Sequence, residues 1–115
     1  MFAAYHVTRA ENIGSIMKDG LVPAIGERSE KLGEQTPAVY LFTSLENMDN
    51  ALWNWLGEEF EEEDEAAGFE IERVALEVML DDSLYIDPDE FYEIEVTDTI
   101  PPENIRVMSA DEYSI

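Results

Sequence analysis

The amino-acid sequence predicts an α+β fold, and three observations carry that prediction. Two segments, FAAYHV near the N-terminus and AVYLFTS from Ala38 to Ser44, are short apolar runs that read as strands. Each passes directly into residues recurring at helical spacing. The last third alternates apolar and polar side chains with a period of two, as strands with one buried face do. Two strand-helix units followed by a mostly antiparallel set of strands is the order of a layered α+β domain.

Taken in order, FAAYHV predicts a buried strand ending near His6. TRAE then fits a capping box, with Thr8 capping a helix and Glu11 reaching back to it. Ile13, Ile16 and Met17 share one helical face, and Gly20 predicts a left-handed stop. Leu21 to Pro37, with Gly26 and Gly33, reads as a polar loop. After the second strand, Thr43 and Glu46 repeat the capping-box spacing, and Leu45, Met48, Leu52 and Trp55 recur as a helical stripe. The stretch 58–68 carries seven acids in its first eight residues, and its self-repulsion predicts a fraying helix end or a mobile loop. Val74 to Leu80 alternates as a strand, DDS turns into the apolar LYI, and DPDE turns again. In FYEIEV, Tyr92, Ile94 and Val96 fall on one side, Glu93 and Glu95 on the other. TIPPENIRVM predicts a Pro-Pro turn and a short final strand.

A length of 115 residues fits one domain spanning 1–115, with the acidic segment 58–68 as its unusual part. The absence of cysteine removes disulfides, thiolate nucleophiles and zinc-thiolate sites. No apolar run approaches a membrane span, and the first residues lack the order of a signal peptide, so a cytoplasmic protein with no membrane association is expected. No metal is expected either, because no His-carboxylate spacing suits one. The six Lys and Arg face 28 Asp and Glu, a formal charge of −22. Such a chain repels nucleic acid, whose binding depends on Lys and Arg, and attracts basic protein surfaces. The seven acids Glu58, Glu59, Glu61, Glu62, Glu63, Asp64 and Glu65 are the candidate contact for such a partner, or else a solvated charge run.

Three positions on separate predicted strands stand out: His6, the one histidine in the chain; Tyr40; and Glu93. With YHVT near the start, then VYLF before a helix, then EIEV followed by IPPENI, the chain resembles the ADP-ribosyltransferase-like fold from Ala4 to about Met108, apart from the acidic segment. More narrowly it is similar to the diphtheria-toxin-like branch, whose motif is His, Tyr and Glu on three strands. The resemblance implies NAD as substrate. It gives His6 the hydroxyls of the adenosine ribose, Tyr40 a stacking role on nicotinamide, and Glu93 the catalytic carboxylate at the nicotinamide ribose. It also places the Thr8 hydroxyl beside the histidine and makes Trp53 the candidate for a second aromatic from the helix after the tyrosine. The resemblance implies Glu93 over Glu95 and Glu90, because members of the family often show a Glu, alternating apolar positions and then Ile-Pro-Pro, here Ile100-Pro101-Pro102, at this spacing.

These residue types suit the chemistry in their own right. Breaking a bond to nicotinamide develops positive charge on ribose, which a fixed carboxylate stabilises. An aromatic ring clamps a flat heterocycle, and an imidazole orients hydroxyls. Each also has an ordinary role: a hydrogen-bonded strand histidine, a helix cap at Thr8, a strand aromatic at Tyr40, a packed helix edge at Trp53. The arginine set with which related RNA 2′-phosphotransferases bind phosphate is missing, so that activity is set aside. Two functions are expected from different classes. One is an NAD-dependent ADP-ribosyltransferase acting on a basic, nucleic-acid-binding protein. The other is an inactive acidic nucleic-acid mimic that blocks a DNA- or RNA-binding enzyme, in the manner of phage anti-defence or anti-CRISPR proteins.

Overall fold

The run FAAYHVTR packs Phe2 and Ala4 on one face and Tyr5 and Val7 on the other, as the central strand of the sheet. The computed structural model describes residues 1–24 and 37–113. Strand β1 (Phe2–Arg9) is followed by a 3-10 turn and helix α1 (Ile13–Asp19). Strand β2 (Val39–Phe42) leads into α2 (Leu45–Trp53) and α3 (Trp55–Ala67). Then come β3 (Arg73–Leu80), β4 (Glu93–Val96) and β5 (Ile105–Val107). The result is an α+β domain whose five-stranded sheet, ordered β4-β2-β1-β3-β5, is antiparallel throughout. None of the described helices is long and apolar enough to cross a membrane.

The sheet divides two cores. Ala4, Leu41, Leu76, Val78 and Ile94 face α1 with Ile16, Leu21 and Ile100. On the opposite face Phe42, Ala75 and the half-buried Tyr5 and Val7 meet Met48, Ala51 and Leu56 from α2 and α3. Between the two helices lies a break at Asn54 (φ −125°, ψ −116°). A Cβ on Gly57 would sit 2.2 Å from the Leu52 carbonyl oxygen, so only glycine lets α3 fold back this tightly against the end of α2.

Several local expectations are corrected by longer-range pairing. Thr8 is not a helix cap: β1 pairs with β3 over all eight residues as far as Arg9↔Arg73, which keeps Thr8 in the strand. The cap of α2 is Ser44, which accepts from the Asn47 N–H at 3.0 Å. Thr43 instead donates to the Phe91 carbonyl at 2.5 Å and ties β2 to the segment entering β4. LYI is not a strand; a 3-10 turn occupies Asp82–Leu84, and Tyr85 packs edge-on against Phe2 at 5.4 Å. Tyr92 departs from the alternation of β4 and packs edge-on against Phe42 at 5.7 Å, on the α2–α3 side. Most of the expected loop, 25–36, lies outside the described residues.

The acidic segment is neither frayed nor loop-like. It is the body of α3, closed by Gly68 (φ 81°), whose N–H reaches the Asp64 and Glu65 carbonyls. Arg9 and Arg73, opposite one another across β1 and β3, hold the inner acids: Arg9 to Glu63 at 2.7 Å, Arg73 to Asp64 at 3.1 Å. The Arg73 guanidinium also lies 4.0 Å from the Phe60 ring centroid. With 9% of its side chain exposed, Arg73 is the buried anchor of this network. Arg73→Met is expected to lower the melting temperature by about 10 °C, because Asp64 and Glu63 lose their inner cation. Burial opposes ionisation of Asp64, yet the Arg73 and Ile71 hydrogen bonds prevail and hold its pKa below 3.8. Its contribution is therefore present above that value and fades as pH falls through the depressed one, so the gap between wild type and variant should close in acid. A gap constant with pH in thermal melts would count against this pairing.

Candidate functional site

The ladder between β1 and β2 is short. Only Tyr5↔Phe42 is paired, although β1 has eight residues and β2 has four. Beyond that pair a cleft of about 510 Å³ opens, within the ~300–1,000 Å³ range usual for small-molecule sites. His6, Tyr40 and Glu93 all line it, contributed by β1, β2 and β4, which are neighbours in the sheet. Helix α3 supplies the facing wall through Trp55, Glu59 and Phe60.

His6 spans the gap between the strands. Its Nδ1–H donates to the Tyr40 carbonyl at 2.8 Å, a side-chain bond from β1 to the β2 backbone. A carbonyl can only accept, so the proton sits on Nδ1 and the neutral ring presents Nε2 as an acceptor. Among the described residues Nε2 has no hydrogen-bond partner, and His6 lines the cleft. Burial pushes the His6 pKa below 6.5, against the opposing effect of the Tyr40 hydrogen bond. In NMR titration the single imidazole is expected to titrate below 6.5 from the Nδ1–H tautomer. The unfolded chain binds the proton first, so this group removes stability as pH falls from 6.5 towards the lowered value. A midpoint at or above 6.5 would contradict this assignment.

The remaining sequence-predicted residues separate. Of the three acids weighed, Glu93 lines the cleft, whereas Glu95, the cross-strand partner of Tyr40, and Glu90 are exposed and do not. Thr8 accepts from Asn12 Nδ2 at 3.3 Å and is not part of the cleft lining. Trp53 is 72% exposed and also lies outside it. The helix tryptophan in the cleft is Trp55, packed at a 6.3 Å ring distance from Phe42. It belongs to the same stripe as Leu45, Met48 and Leu52, and that stripe was the signal for it. Glu59, grouped by sequence with the partner-binding acids, is a half-buried cleft residue one helical turn from Trp55. Glu63 and Asp64 are engaged with arginines, while Glu58, Glu61, Glu62 and Glu65 are exposed. With Phe69 these exposed acids edge a second groove of about 640 Å³.

Comparison with protein-family models, curated proteins and solved structures found no significant match. The functional reading therefore stands on the geometry of this cleft and on the resemblance of its motifs.

Proposed function

We propose that this protein is an ADP-ribosyltransferase-like enzyme that takes NAD into the β1–β2 cleft and transfers ADP-ribose to a basic protein. The observation that supports the reading is the convergence of His6, Tyr40 and Glu93, far apart in sequence, on one cleft. In the reaction the bond from ribose C1′ to the nicotinamide nitrogen breaks, and its electron pair leaves with neutral nicotinamide. Positive charge develops at C1′ and the ring oxygen, where Glu93 stabilises it electrostatically. Tyr40 and Trp55 hold the flat ring, and the neutral His6 accepts from a ribose hydroxyl through Nε2. An acceptor atom of the target forms the new bond to C1′ and gives its proton to water. The large negative charge steers the protein to a basic target and disfavours direct modification of nucleic acid.

The test is free nicotinamide and label transfer from NAD labelled in its adenylate half, with a Lys/Arg-rich nucleic-acid-binding protein as acceptor. Nicotinamide release with label on the acceptor is the expected result; no release with or without acceptor sinks the reading. One observation favours a second reading, the nucleic-acid mimic: Glu58, Glu61, Glu62 and Glu65 are displayed on an ordered helix. That reading requires stoichiometric inhibition of a DNA- or RNA-binding enzyme without NAD, weakening steeply with salt and unchanged in Glu93→Gln.

A further inference from the structure

We propose that the groove between the C-terminal half of α3 and the 68–72 connection to β3 docks a Lys/Arg-rich segment of the protein target and seats one apolar side chain of it. The proposal rests on the reading of a basic protein target and places that target's contact away from the cleft. At 3.6 residues per turn, Trp55 and Glu59 share the cleft side of α3, while Gly57, Glu61 and Asp64 lie on the other. The groove of about 640 Å³ edged by Phe69 meets another of about 560 Å³ there, and both are lined by Glu61, Asp64 and Glu70. The second has an apolar lining of Leu52, Phe60 and Ile71, all half-buried.

Gly68 ends α3 in a left-handed cap, and an apolar residue after such a glycine commonly packs back on the last turn of its helix. Here that turn offers Glu63 and Asp64, and Phe69 stays 66% exposed. Arg73 is the one cation among the described residues lining either groove, and it is spent internally on Asp64, Glu63 and the Ile71 carbonyl. Among the described residues the side chains of Glu61 and Glu70 have no hydrogen bond or ion pair. Glu58, Glu61, Glu62 and Glu65 stand three or four residues apart on the helix, a repulsion that cations from outside relieve. A basic segment answers both features. Its Lys and Arg neutralise the carboxylates and cover the Phe69 ring, and an apolar residue among them packs against Leu52 and Ile71. Nucleic acid meets repulsion at the same carboxylates, and a second copy of the chain brings a further charge of −22.

The experiment is fluorescence anisotropy of the whole protein with two labelled peptides, a Lys/Arg peptide with one central leucine and the same peptide with serine in its place. The leucine peptide is expected to bind about tenfold more tightly, and to keep that preference as NaCl rises and both affinities fall. Ile71→Ala, at a half-buried position outside both cores, should erase most of the preference at an unchanged net charge. Phe69→Ala should weaken both peptides about threefold. Glu61→Gln with Glu70→Gln should weaken both about fivefold, whereas Asp98→Asn with Glu103→Gln, the same charge change at exposed positions outside the grooves, should alter them little. Equal binding of the two peptides, equal losses from groove and control carboxylates, or no binding at low salt overturns the proposal. A dimer of the free protein that Phe69→Ala dissolves would assign the groove to a second copy and overturn it too. None of these readouts needs NAD. Nicotinamide release without peptide preference therefore sinks the groove alone, and peptide preference without nicotinamide release sinks only the enzyme reading.

Discussion

Gly20→Ala is expected to destabilise the protein by about 4 kcal/mol and to lower its melting temperature by about 15 °C. Two independent causes add at this residue. Gly20 has φ 85° and ψ −173°, a region of backbone space that is essentially glycine-only. A Cβ there would also lie 2.1 Å from the Ile100 carbonyl oxygen, a backbone atom held in place by the sheet side of the core. That oxygen accepts from the Leu21 N–H at 2.9 Å, and the Ile100 N–H returns a bond to Leu21 at 3.0 Å. Relieving the clash means opening this two-bond bridge and moving Leu21 and Ile100, both buried in the α1 core. Because Leu21 also lines the cleft, ligand affinity should fall with stability. Gly14, inside α1, is the control, because a Cβ added there would meet nothing within 4 Å. Gly14→Ala should be neutral or stabilising by up to about 1 kcal/mol. Denaturant melts decide it, and a Gly20→Ala loss under about 1 kcal/mol would refute both causes.

The features legible in the sequence were those set by local periodicity. The strand-helix order, the alternation of β3 and the Ile94/Val96 face follow from apolar spacing, because the same side chains that pattern the sequence fill the two cores. What was illegible depended on partners distant in the chain. A window around residues 58–68 shows only repelling acids; it cannot show Arg9 and Arg73, which arrive from two paired strands and stabilise the helix. Thr8 looked like a cap because Glu11 stands three residues on, yet ladder pairing with β3 outweighs one capping hydrogen bond. The site divided in the same way. His6, Tyr40 and Glu93 were marked by residue type and strand position, but the gap between β1 and β2 that makes a cleft of them has no sequence signature. Trp55 and not Trp53 lines the cleft, because the helix breaks at Asn54 and the stripe begun by Leu45 continues on a new axis.

On the ADP-ribosyltransferase reading proposed above, Glu93→Gln is expected to cut nicotinamide release from NAD by about 10²–10³-fold, with little change in KM. The side chains are nearly isosteric, so the substitution removes a charge and keeps the shape. Glu93 opens β4 and is registered opposite Phe42, whose ring packs against Trp55, so the carboxylate is carried on an edge strand held by its ladder with β2. A carboxylate held that way needs no reorganisation as positive charge grows on ribose, and its stabilisation is exerted in the transition state more than in the bound substrate. That difference predicts a fall in kcat at nearly constant KM. Glu95→Gln makes the same change in charge two residues along β4, at an exposed position outside the cleft lining, and should retain turnover. If both variants lost activity alike, the cause would be the field of the strand and not a carboxylate at the reacting bond. If Glu93→Gln retained turnover at an unchanged melting temperature, Glu93 would not be the catalytic group. His6→Ala separates the two ends of the site: without an imidazole Nε2 the ribose hydroxyl loses its acceptor, so KM should rise while kcat falls far less than in Glu93→Gln.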